Sequence, residues 1–113
     1  MKVLMVNGSS NEKGCTYTAL TEIGRTLVKQ AIEYEIFYIG RGAVRDCIGC
    51  RQCAKKGSCV FTDDVPLQAF LEKARGADGF VFGTPVYYAH PSGRLFSFLD
   101  RAFYSEGRHG YGA

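Results

Sequence analysis

No apolar stretch in this chain approaches the roughly 20 residues that a membrane-spanning helix needs, so no membrane partner is expected. A leader pattern is also lacking. Residues 2–6 read as a strand with one Lys, not as a charged segment followed by an apolar one, and a cytoplasmic location is expected. A large excess of one charge sign is lacking. The formal net charge is +3 with Lys and Arg scattered, too little and too dispersed for a nucleic-acid surface, though it suits small anionic ligands. The bias of a disordered chain is missing too: 46% hydrophobic and 22% charged residues are ordinary globular usage, and 113 residues suit one domain that is small for an enzyme.

Several phosphate and nucleophile signatures are likewise absent. After Gly8 the order Lys13-Gly14 reverses the Gly-Lys-Ser/Thr of a Walker loop, and no Gly-x-Gly-x-x-Gly occurs. Six positions after the five cysteines stand Thr21, Cys53, Lys56, Cys59 and Val65, never Arg, which excludes phosphatase chemistry built on a Cys-x5-Arg loop.

What is present is an alternation of strand and helix patterns. Residues 2–6 form an apolar run ending at Asn7-Gly8, as in a strand covered on both faces. From 16 to 30, Ala19, Leu20, Ile23, Leu27 and Val28 recur at helical spacing. Residues 33–39 predict a second strand, and 41–61 a long cysteine-rich loop inserted after it. A helix over 64–75 is expected, capped by Thr62 or Asp63, with Pro66 in its first turn and Leu67, Phe70, Leu71 and Ala74 buried. Residues 79–83 predict a third strand. Ser92 is then expected to cap a helix burying Leu95, Phe96, Leu99, Ala102 and Phe103, and the segment beyond Tyr104 reads as loop.

The order β-α-β-α-β-α defines an α/β doubly wound parallel sheet with strand order 2-1-3. Ligands in such sheets sit where the chain direction switches, beyond the carboxyl ends of the first and third strands. Here those ends are NGSSNEKGCT and TPVYYAHPS, so two chemically loaded loops are expected to meet at one crevice. In the first, Ser9, Ser10, Asn11, Thr16 and Thr18 stand before or within a helix N-terminus, whose unpaired N–H groups and dipole suit a phosphate, and Gly8 and Gly14 permit close approach. A plain polar loop with a capping Thr is the alternative.

These two loops and the cysteine run resemble the NADPH-dependent FMN reductase and iron–sulfur flavoprotein branch of the flavodoxin-like proteins. That family's first loop is typically Gly-Ser-Pro-Arg, two residues, Gly-Asn-Thr; here it reads Gly8-Ser9-Ser10-Asn11, then Gly14-Cys15-Thr16, with Asn11 for Arg and Cys15 for Asn. The resemblance implies that Ser9, Ser10, Asn11, Cys15 and Thr16 hold the FMN phosphate, and that Pro85, Val86, Tyr87 and Tyr88 receive the flavin ring. It implies an NAD(P)H-dependent flavin, quinone or small-acceptor reductase, with electron transfer belonging to the cofactor, so that no side chain is required as acid, base or nucleophile.

Cys47, Cys50, Cys53 and Cys59 lie within thirteen residues at a ferredoxin-like spacing, which also resembles the compact cysteine motif of iron–sulfur flavoproteins with its later Asp63-Asp64. They read either as ligands of a [4Fe-4S] cluster or as packing residues of a redox-sensitive loop. Two other functions stay open: a flavodoxin-type electron carrier, which the positive charge disfavours, and a metal-binding module without enzymatic activity.

The resemblance covers residues 1–113 but only the first part of the family's pattern, whose last two strand–helix units are missing. The third strand is then an uncovered edge carrying Phe80, Val81 and Phe82. Either the chain is part of a longer protein or a second copy covers that edge in a homo-oligomer.

Overall fold

The computed structural model describes residues 1–108. The apolar run at the start becomes β1 (Lys2–Asn7), followed by α1 (Cys15–Lys29), β2 (Glu33–Tyr38), a short α2 (Cys53–Lys56), α3 (Leu67–Arg75), β3 (Gly79–Gly83) and α4 (Gly93–Arg108). The three strands are parallel in the order β2-β1-β3. Val3 aligns with Tyr34 and Gly79, and Asn7 with Tyr38 and Gly83, so all three strands end level at one rim. This is the flavodoxin-like arrangement that the strand and helix alternation implies.

Successive strand residues face opposite sides of the sheet. Leu4, Val6, Phe37 and Ile39 turn to the side of α3 and α4, where they join Leu67, Phe70, Leu71, Leu95 and Phe98 in one core. Phe98 anchors it, with ring centroids 4.9 Å from Phe70 in an edge contact and 6.0 Å from Phe37 in a stack. The other side is covered by α1, whose Gly24 lies so close to β2 that a Cβ there would stand 2.4 Å from the Tyr34 ring.

The helices depart from expectation in instructive ways. On α1 only Leu20 of the expected stripe is buried, beside Gly24; Ile23 and Val28 remain exposed, and the helix instead seats on β2 through a glycine. The loop after β2 contains one helical turn, α2, ended by Gly57 in the left-handed region at φ 82°. α3 starts at Leu67, not near 64, and neither Thr62 nor Asp63 caps it; Pro66 occupies the cap position and Asp64 is drawn toward α4. On α4, Phe96 and Phe103 are about half exposed, at 50% and 54%, while Phe98 and Arg101 take the inward positions. α4 also runs past Tyr104 to Arg108, because Ser105 bonds Ala102 O and the buried Glu106 carboxylate accepts a two-pronged bond from Arg75. The remaining residues, 109–113, lie outside the described range. Among the described residues no helix is long and apolar enough to cross a membrane.

Among the described residues no strand pairs with the outer edge of β3. Phe80 and Phe82 are 45% and 39% exposed and line a hollow of about 270 Å³ with Phe70, Leu71 and Phe103.

Candidate functional site

The two loops beyond β1 and β3 are joined at their roots, although the hollow at the first loop is lined by no residue of the second. Gly8 N–H donates to Gly83 O at 2.8 Å, and Ser92 Oγ donates to Gly8 O at 3.1 Å. Ser92 also ties the second loop to itself, through Thr84 Oγ1 at 2.9 Å from its N–H, and its Oγ accepts the Leu95 N–H at 3.3 Å as the cap of α4. One serine thus joins the first loop, the second loop and a helix end.

The first loop is shaped from within. Fully buried Asn7 accepts the Ser9 N–H at 3.0 Å and donates to Glu12 O at 2.9 Å, while Ser9 Oγ accepts the Asn11 N–H at 3.0 Å. Tyr38, at the end of β2, donates to Ser10 O at 2.9 Å. No side chain caps the leading N–H groups of α1, whose first residue is Cys15. Ser10 and Asn11 line an open hollow of about 530 Å³ with Glu12, Lys13, Gly14, Tyr38 and Arg41. Ser9 is buried beneath the loop, Thr16 is half-buried, and Cys15 is exposed at the helix start. Lys13 and Arg41 are cationic lining that the motif reading did not single out. Arg41 stands just past the second strand, where an α/β rim residue is a reasonable place to look for the charge that Asn11 lacks.

The second loop projects. Pro85 is half-buried, whereas Val86, Tyr87 and Tyr88 are 69%, 67% and 86% exposed. A bridge between Val86 and Pro91 closes it into a narrow turn, with Ala89 in the left-handed region at φ 58°. An aromatic shelf this exposed on a fixed turn suits a flat ring, and the uncapped helix and its cationic rim suit a phosphate. The residues present therefore fit FMN.

The cysteines also converge. All five are free, and Cys47, Cys50, Cys53 and Cys59 line one pocket with Ile48, Arg51, Val60, Phe61, Arg101, Tyr104 and Ser105. Gly49 at φ 66° and Gly57 supply the turns that bring them round. Among the described residues no three His, Cys, Asp or Glu side chains are grouped as metal ligands, and the hollow, about 20 Å³, has room for about one water. The donor set fits an iron–sulfur cluster in kind, and the loop would have to widen around one. Cys15 stands apart from them.

The neck of that loop is a charge network. Arg101 Nη1 donates to Asp64 Oδ2 at 2.6 Å and to Arg45 O at 3.1 Å, and Nη2 donates to Phe61 O at 2.6 Å. Arg45 N–H donates to Asp64 Oδ2 at 2.7 Å, and the Arg45 guanidinium lies 4.3 Å from the Phe61 ring centroid. Arg101 was the residue the motif reading missed, although a cation in register with Leu95, Phe98 and Ala102 on an apolar helix face was the available signal.

Burial pushes the Asp64 carboxyl upward, but Arg101 and the Arg45 and Val65 N–H groups outweigh it and hold the acid below its ordinary value. On Glu35 the Lys73 ammonium, aided by Lys2, outweighs burial in the same direction. Carboxyls depressed in the folded state stabilise it above their unfolded pKa and lose that contribution as pH falls through the folded value. The melting temperature is therefore expected to hold from pH 7 to 5 and to fall below about pH 4. A scan that stayed flat down to pH 3 would contradict this.

An α/β sheet of order 2-1-3 with two loops joined at one rim has the flavodoxin-like fold. The comparison with known families agrees: residues 1–112 match the NADPH-dependent FMN reductase family, and the chain belongs to it. It is 33% identical over 102 residues to an iron–sulfur flavoprotein of Methanocaldococcus jannaschii, covering 90% of this chain and 52% of that protein. It is 35% identical to one from Archaeoglobus fulgidus, covering 90% and 49%, and 30% identical to one from Clostridioides difficile, covering 90% and 46%. The chain thus spans about half the length of the curated relatives it matches.

Proposed function

We propose that this chain carries the cofactor sites of a cytoplasmic FMN-dependent NAD(P)H oxidoreductase that reduces a flavin, a quinone or another small acceptor, and that its four clustered cysteines hold an iron–sulfur cluster. The observation that carries the reading is the hydrogen-bonded junction of Gly8, Gly83, Thr84 and Ser92, which sets the two loops at one rim. Family membership and the iron–sulfur flavoprotein names of the relatives support it.

In this reading Ser10, Asn11, Cys15, Thr16 and the leading N–H groups of α1 receive the phosphate, with Ser9 bracing the loop and Lys13 and Arg41 adding charge. Pro85, Val86, Tyr87 and Tyr88 receive the ring. Cys47, Cys50, Cys53 and Cys59 are the cluster ligands. When bound, FMN supplies hydride and electron transfer and a cluster supplies one-electron transfer. The side chains orient and shield, and none is needed as a nucleophile. The open β3 edge fits coverage by further chain or by a second copy.

The test is an anaerobic titration with FMN after iron and sulfide reconstitution, read by absorbance and iron analysis. Flavin bands with a broad shoulder and about four irons per chain are expected. Flavin without iron would leave the reductase and remove the cluster; iron without flavin would leave a metal-binding module; neither would sink the reading.

A further inference from the structure

The cysteine pocket contains a buried charge that packing alone does not explain. Arg101 heads the fully buried side chains, at 2% exposure, although among the described residues Asp64 is the one carboxylate that pairs with it. Its two η nitrogens are engaged by Asp64, Arg45 O and Phe61 O, while Nε is buried with no hydrogen-bond partner. An unpaired buried donor is costly, and a guanidinium is among the least expected groups to carry one. Arg101 also lines the hollow shared by Cys47, Cys50, Cys53 and Cys59.

We propose that Arg101 is a positioning residue for an iron–sulfur cluster on those four cysteines, closing the neck of the loop through its η nitrogens while its charge and its free Nε–H tune the cluster. The inference rests on the cluster reading above. Net charge and hydrogen bonding near the sulfurs are two of the levers by which a protein sets a cluster's potential. A fixed cation stabilises the reduced form, which carries one more negative charge, and raises the potential. Asp64 opposes it by partly neutralising that cation. A guanidinium stays protonated in proteins, so the charge is permanent.

The experiment reconstitutes iron and sulfide anaerobically into the full chain and into R101M, R101K and D64N, then reads iron content and midpoint potential. R101M is expected to shift the reduction equilibrium about tenfold toward the oxidised form, which is about 59 mV for one electron. D64N is expected to shift it the opposite way, because the cation is then uncompensated, and R101K is expected to stay near wild type. If R101M fails to fold, D64N carries the test. The Arg45 N–H and Arg101 Nη1 both bond one oxygen, Oδ2, which the Asn carbonyl replaces. Wild-type iron with unmoved potentials in the variants that fold overturns this inference alone, as does R101K moving as far as R101M. A wild-type chain that retains no iron overturns the inference and the cluster reading together.

Discussion

Replacing Phe98 with Ala is expected to destabilise the fold by about 3–5 kcal/mol. The side chain is fully buried, and its ring is the one that touches both Phe37 from the sheet and Phe70 from α3. Neither neighbour can close the gap easily. Phe37 is fixed by the register of β2, and Phe70 by a helix only nine residues long. A domain of this size has a total stability of about 5–15 kcal/mol, so the loss removes much of it. Urea or thermal unfolding followed by circular dichroism measures the effect, and a change under about 1 kcal/mol would mean that the three-ring core is not what holds α4. Phe96→Ala and Phe103→Ala on the same helix should cost far less, since both rings are half exposed.

The second large effect is expected at the loop junction. A Cβ on Gly8 would stand 3.0 Å from Gly83 O and 3.0 Å from Leu95 Cβ. The first contact is backbone, and the second lies at the root of a buried side chain, so neither can swing aside. Gly8→Val should therefore force the rims of β1 and β3 apart, at an overpacking cost of about 1–3 kcal/mol. The Gly8 N–H to Gly83 O bond holds the two loops together, so FMN affinity should fall about tenfold or more, equivalent to about 1.4 kcal/mol per decade. Flavin fluorescence titration reads the affinity, and a melt reads the stability. A lowered melting temperature with unchanged flavin affinity would mean that the junction is structural and that the cofactor sits elsewhere.

The strands and their order were readable from the sequence because a parallel, doubly covered sheet writes itself as continuous apolar runs, and residues 2–6 and 79–83 are such runs. The meeting of the two loops was readable for a related reason. In a 2-1-3 sheet the carboxyl ends of β1 and β3 are neighbours whatever the side chains are. The helix ends were not readable, because long-range pairing decides them. Thr62 and Asp63 read as caps for a helix starting at Asp64, yet Asp64 is held by an arginine 37 positions away. Ser105 and Glu106 read as the start of a loop, yet the buried Glu106 carboxylate is held by Arg75, 31 positions away. The inward face of α4 was misjudged for the same reason. Counting apolar residues favours Phe96 and Phe103, and no local pattern reveals that a charged Arg101 can be buried once Asp64, Arg45 and Phe61 surround it. Cysteine spacing disclosed the four thiols that line one pocket but not the cation that lines it with them. On α1 the stripe was apolar by composition, but a glycine rather than a large side chain makes the contact with β2, and periodicity does not weigh an absent side chain.

Both candidate centres hang from one rod. Ser92, just before α4, secures the junction of the two loops, and Arg101, two and a half turns on, secures the neck of the cysteine loop. Nine residues of α-helix rise about 14 Å, so the offset between these two anchor points is set by backbone geometry and not by the slack of a loop. Electrons passing between the two centres would cross a gap that thermal motion of the surface turns cannot easily change.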